Sequence, residues 1–199
     1  VKNAIVSVAI MDTMSVKERH RNFDINDFWR HSVSVAVCGR QLAEKSRLVP
    51  PEDAFIAGLL HDIGKIIMLK HFKQDMEKIW RRMEETKCSF LKAEEDVASI
   101  DHVQIGAYLA RKWQLPEQII EAIAGHHYHM TSTKSTGLVE CVLLANALAN
   151  NNYSINPDDY DFESHIDKAI RPLITKTESW LPQAMAEIDA ACEFFLEKK

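Results

Sequence analysis

The stretch AGLLHDIGKIIML, residues 57 to 69, sets a histidine, an aspartate and a lysine into an otherwise apolar run. Burying such groups is costly unless they find partners, so His61, Asp62 and Lys65 need an explanation beyond packing. The chain holds nine histidines, and a helical reading brings five of them, His31, His61, His102, His126 and His127, to one end of a bundle. Asp27 and His31 lie four residues apart and share a helix face. His61 and Asp62 are adjacent, and Lys65 aligns with both if one helix continues through them. Imidazole and carboxylate together suit Fe, Mn, Zn or similar divalent ions, and a shared aspartate can bridge two of them. Two ions so held would activate a water and clamp a phosphoryl group, with Lys65 a natural partner for a phosphate oxygen. Any single histidine is more often an ordinary core or surface residue. An HD pair accompanied by four more histidines shifts that balance toward a site.

The elements that must position these residues read as helices nearly throughout, because the apolar period is helical and only 6 Gly and 6 Pro interrupt it. The expected fold class is all-α. Val1, Ala4, Ile5, Val8 and Met11 mark a buried face with no N-cap before it, so the chain is expected to begin partway through a larger architecture. A helix is predicted from Asp24–Asp27 to about Lys45, burying Phe28, Val35, Cys38 and Leu42. Pro50 and Pro51 open the next, which should run through Ala54 to the Gly64 region. A charged, exposed helix follows from Phe72 to Lys87, and a short one from Ser89 to Val97. Asp101 caps the helix carrying Ile105, Leu109 and Trp113, and Pro116 starts another that ends at Gly125, just before the His126-His127 pair. The loop YHMTSTKSTG leads into an apolar helix from Leu138 to Ala149. The polar linker NNNYSINPDDYD then separates residues 1–150, the expected core, from a helical extension over 151–199 packed upon it.

A chain of 199 residues with 46% hydrophobic content supports one sizeable core. Its net charge of -5, with both signs mixed, offers no basic stripe, which argues against nucleic acid as a partner. Cys38, Cys88, Cys141 and Cys192 form no CxxC pair and suit small buried thiols in a reducing compartment, so the expected location is cytoplasmic. No apolar run approaches the roughly 20 residues of a membrane helix, so no membrane partner is expected. His20, His71, His129 and His165 read as surface groups, the four tryptophans as inter-helix anchors, and both KERHR (17–21) and Arg81, Arg82, Glu84, Glu85 as solvated surface.

Four segments in order, FWRHSVSVAV, AFIAGLLHDIGK, DHVQIGAYLARKWQLPEQIIEAIAGHH and VLLANALA, resemble the HDOD domain, the HD-related output domain of bacterial signalling proteins. More distantly they are similar to the HD-GYP cyclic-di-nucleotide phosphodiesterases. The resemblance implies an HD-domain-like helical bundle within a modular regulator. By position, His31, His61 and Asp62 match the HD pattern, while His102, His126 and His127 match the histidines of a second metal in HD-GYP enzymes. Asp27 sits where those enzymes carry a glutamate ligand, and Asn146 stands where the closing aspartate is expected. That amide oxygen can ligate but brings no charge, so affinity at the first metal should fall. The GYP signature is absent as well. The expected function is therefore a regulatory module that works through contacts with signalling proteins or fused signalling domains, its histidine cluster either retained as a structural site for one or two divalent ions or metal-free. The alternative is a metal-dependent phosphohydrolase with Asp62 and Lys65 as catalytic residues. A third reading is sensing of a nucleotide or phosphate ligand without turnover.

Overall fold

In the computed structural model, residues 23–127, 137–150 and 170–196 are described. The N-terminal apolar face, KERHR, nearly all of the YHMTSTKSTG loop and of the polar linker, and His20, His129 and His165 lie outside them. Asp24 starts the first described helix: its Oδ1 accepts from Asn26 N at 2.7 Å, satisfying one of the free donors of helix α1, Ile25–Ser46. Arg47 ends α1 in the left-handed conformation. Pro51 begins α2, Pro51–Leu60. Helix α2 crosses α1 closely at Gly58, where an added Cβ would meet the Ala36 Cα at 2.8 Å, so only glycine fits.

The helix predicted to reach the Gly64 region instead stops at Leu60. His61 and Asp62 form a turn, and α3 restarts at Ile63 and runs to His71. The reason is tertiary. Gly64 abuts the first residue of a later helix so tightly that a Cβ would lie 1.9 Å from the His102 carbonyl oxygen, and the turn sets the chain in that position. Helix α4, Lys73–Thr86, buries only Met76 and Ile79. Helix α5, Phe90–Val97, is capped by Ser89. Helix α6, His102–Lys112, opens with a capping box between Asp101 and Gln104. Then come α7, Glu117–Gly125, and α8, Gly137–Asn150.

Helix α1 is the spine, packed between α2 and α8, while α7 leans on α2, α6 and α8. Val33, Val35, Leu42, Leu59, Leu60, Ile123 and Leu144 are buried together in the main core. A smaller cluster joins Met68, Leu69, Met76, Ile79, Ala93 and Ile105 of α3 to α6. Two further helices, α9 (Arg171–Thr175) and α10 (Leu181–Leu196), with the turn between them, add Ile174, Trp180 and Ile188 to the main core, and α10 packs on α1. Trp180 Nε1 donates to the Leu173 carbonyl at 2.7 Å, and Arg40 of α1 pairs with Glu187 of α10. Of the tryptophans expected as anchors, Trp29 and Trp180 are buried and Trp80 half-buried, whereas Trp113 caps α6 in solvent. There is no strand among the described residues.

Candidate metal centre

The turn at residues 61–62 decides where the polar groups of HDIGK point. It turns His61 and Asp62 into the protein, 0% and 2% exposed, among an otherwise apolar core. Asp62 becomes a hub. Its Oδ2 faces His61 Nε2 at 3.4 Å and His31 Nε2 of α1 at 3.9 Å. Its Oδ1 faces His102 Nε2 at 3.3 Å and His126 Nε2 at 3.5 Å. His127 completes the second half, with its Nε2 3.1 Å from that of His102. The ligand atoms of Asp62, His102, His126 and His127 all lie within 4.8 Å of one another, and so do those of His31, His61 and Asp62.

Three rings are held with a defined tautomer. His61 Nδ1 donates to the Gly58 carbonyl and His126 Nδ1 to the Ile123 carbonyl, each at 2.7 Å. His102 Nδ1 donates to Glu94 Oε2 at 2.6 Å. Carbonyl and carboxylate oxygens accept only, so each Nδ1 carries the hydrogen and, in the neutral ring, each Nε2 turns a lone pair inward. Those lone pairs face a carboxylate that also only accepts. As a result Asp62 Oδ1 and His126 Nε2 are buried without a hydrogen-bond partner. Acceptors converging on acceptors need a cation between them, and imidazole with carboxylate is a donor set that a divalent metal ion fits.

The electrostatics agree for four of the five rings and run the other way at His102. Burial lowers the pKa of His31 and His61, that of His126 to about 4, and that of His127, with the adjoining His126 and His102, to about 2. These rings are neutral, as ligation requires. Burial also works against a proton on His102, but the Asp62 and Glu94 carboxylates outweigh it and raise its pKa. Burial likewise disfavours ionised Asp62, yet Lys65, His61 and the nearby His102 and His126 hold its carboxyl well below the usual range.

Lys65 Nζ donates to Asp62 Oδ2 at 2.6 Å and lies 5.1 Å from the centre of the Phe90 ring. Asn146 places Oδ1 3.1 Å from His31 Nε2 and accepts from Asn150 Nδ2 at 2.9 Å. Asp27 is not brought in: it is exposed in the first turn of α1 and belongs to neither group of converging ligand atoms.

Glu94 is the residue the sequence reading passed over. It is 1% exposed, and besides gripping His102 Nδ1 it accepts from the His102 backbone N at 2.8 Å, fixing both the ring and the start of α6. A carboxylate behind a histidine orients the ring and makes it more basic toward a metal. The signal was present in the spacing: Glu94 is four residues after Phe90 and three before Val97, on the stripe that α5 turns inward.

An all-helical bundle with a buried His/Asp centre at its helix ends defines the class, and the comparisons define the family. Residues 1–129 match the HDOD domain family, and the chain belongs to it. A Treponema pallidum (strain Nichols) protein of uncharacterised function is 31% identical over 75 residues, which is 38% of this chain and 15% of that protein's length. Among solved structures, an HDOD domain protein of unknown function from Geobacter sulfurreducens aligns with a TM-score of 0.76 and 24% identity, covering 98% of this chain and 70% of the other. A candidate phosphohydrolase from Shewanella amazonensis SB2B aligns at 0.72 and 21%, covering 96% and 71%. A candidate signal-transduction protein from Marinobacter aquaeolei VT8 aligns at 0.70 and 19%, covering 95% and 44%. These three share the fold with this chain.

Proposed function

We propose that this chain is a regulatory domain of a bacterial signalling protein, acting on signalling proteins or fused signalling domains, with a divalent metal ion, Fe or Mn, held in its His/Asp centre. The observation that carries the metal site is the convergence of inward lone pairs on the unpartnered Oδ1 of Asp62. In this reading Asp62, His102, His126 and His127 hold one ion; His31, His61, Asn146 and the other oxygen of Asp62 form a weaker second position. Membership in the HDOD family supports the signalling role. Four free cysteines suit a cytoplasmic location, and no described helix is long and apolar enough to cross a membrane.

Regulation is favoured over turnover by charge. Among the described residues a single carboxylate, Asp62, serves both positions, Asn146 adds none, and Asp27 is exposed. A metal-dependent phosphohydrolase remains the second reading, on the specific ground that Lys65 stands at the bridging carboxylate where a phosphate oxygen could be met. One experiment separates the two: elemental analysis of untagged protein purified without chelator, followed by assays of phosphodiester cleavage with excess Mn(II), wild type against Asp62→Ala. Bound metal without turnover is the expected result. Robust cleavage abolished by Asp62→Ala would make the chain an enzyme, with Asp62 and Lys65 its catalytic residues.

A further inference from the structure

Next to the centre, α3, α4 and α5 border a cavity of about 380 Å³ that opens to solvent. Lys65, Met76, Trp80, Met83, Lys87 and Phe90 supply most of its wall, and Glu84 the acidic group. The volume lies in the range of small-molecule sites. Two of these side chains belong to cavity and centre at once. Lys65 reaches Asp62 with its ammonium while lying over Phe90, and the Phe90 ring meets His102 edge-on with centroids 5.9 Å apart. A molecule in the cavity would therefore touch the groups that touch the proposed metal site.

The lining specifies a ligand chemistry. Aromatic faces and methionine thioethers favour a flat, polarisable ring. The lining carries two lysines and one glutamate; Asp62 already pairs with Lys65, so the cationic excess that favours an anion is greatest when a cation occupies Asp62. We infer that this cavity binds a small aromatic anion of the aryl phosphate or phosphonate class, with the ring against Trp80 and Met83 and the anionic end at Lys65. A second consequence rests on the metal reading given above. Lys65 is engaged by Asp62 Oδ2; a cation at Asp62 would take over that carboxylate and leave the ammonium to the ligand, so metal and anion should each strengthen the binding of the other.

The test is calorimetric titration of the full chain with 1-naphthylphosphonate and, separately, inorganic phosphate, with and without Mn(II). Naphthylphosphonate should bind roughly tenfold tighter than phosphate, or better, through its ring. Trp80→Ala should erase that preference, and Lys65→Gln should weaken both anions. Trp80 and Met83 both pack on the smaller core cluster, so Met83→Glu serves as a second variant that should also erase the preference, and each variant is read with its helical circular dichroism and urea midpoint beside those of wild type. Equal affinity of the wild type for the two anions, or a preference that survives both variants, would overturn the inference. The metal reading fails separately: if wild type takes up no Mn(II) yet prefers the naphthyl compound, the cavity stands and the centre does not. Mn(II) uptake without that preference sinks the cavity alone.

Discussion

The two halves of the His/Asp centre share one carboxylate and differ in almost everything else. The half formed by His102, His126 and His127 has three imidazoles, two with Nδ1 clamped by Glu94 and by the Ile123 carbonyl, and faces an Asp62 oxygen that has no other partner. The half formed by His31 and His61 has two imidazoles, a neutral amide at Asn146, and an Asp62 oxygen already engaged by the Lys65 ammonium. His31 is also its most open member, with 22% of its side chain exposed. A dication entering the first half meets the unpartnered Asp62 Oδ1 and His126 Nε2, beside a His102 ring backed by the Glu94 carboxylate. One entering the second competes with a built-in cation and, among the described residues, finds no carboxylate beyond the shared Asp62. The same HD pair thus serves two positions of unequal strength.

The comparison breaks most completely at the shared residue. Asp62→Ala should abolish Mn(II) binding at both positions, with affinity falling by orders of magnitude, because among the described residues no other carboxylate belongs to either group of ligand atoms. In wild type, titration should show one tight equivalent and a second, weaker one. His102→Ala should remove the tight phase and His31→Ala only the weak one. If His31→Ala removes the tight phase instead, the ranking of the halves is inverted.

Metal-free protein should be acid-sensitive in a defined window. The unfolded chain protonates its histidines near pH 6.5, whereas His126 in the folded chain resists to about 4, and His31, His61 and His127 are shifted the same way. Acidification through that window therefore favours the unfolded state, by about 1.4 kcal/mol for each pH unit that a folded ring resists protonation. His102, raised instead, opposes this in part. Asp62 adds to the loss only at lower pH, from the ordinary carboxylate range, where the unfolded chain protonates, down to its own lowered value. Urea denaturation of chelator-treated protein at pH 7 and pH 5 should show the loss, and equal midpoints would contradict it.

Glu94 sharpens the contrast further. Glu94→Gln keeps the volume but weakens the hold on His102, and should lower affinity at the tight position by about 10- to 100-fold while leaving the weak one unchanged. An equal effect on both phases would mean that Glu94 acts on the fold as a whole.

How much of this was legible in the sequence depends on whether the cause was local. Asp24, Ser89 and Asp101, and the prolines at 51 and 116, mark helix starts by chemistry confined to one turn, and the helices begin within a residue or two of them. The grouping of His31, His61, His102, His126 and His127 around Asp62 is legible through the HD pair and the resemblance, since it spans segments far apart in the chain. The turn at His61–Asp62 is not legible, because it answers to the approach of Gly64 to the His102 carbonyl, a contact between distant segments. Glu94 hides beside Glu95 and Asp96, where composition reads as solvated surface and only the register against Phe90 and Val97 tells which acid is inside. For Asp27 the four-residue spacing gives the face it shares with His31, but not that it lies at an exposed helix start, one turn outside the bundle.

The smallest change bears on the most specific difference between the halves. Asn146 presents Oδ1 to His31, and Asn150 donates to that same oxygen, so the position is already shaped for an acceptor. Asn146→Asp would replace a neutral amide oxygen by a carboxylate of nearly the same shape and add a full negative charge to the weaker half. Lys65 limits the gain, since its ammonium still competes for Asp62 Oδ2. The weak Mn(II) phase should tighten by about tenfold, the size of a modest charge interaction in a partly solvated site, with the tight phase unmoved. Lys65→Gln on the same background should tighten it again by removing the competing cation. If Asn146→Asp leaves the weak phase where it was while Lys65→Gln alone tightens it, the built-in lysine, and not the missing acid, sets the difference between the halves.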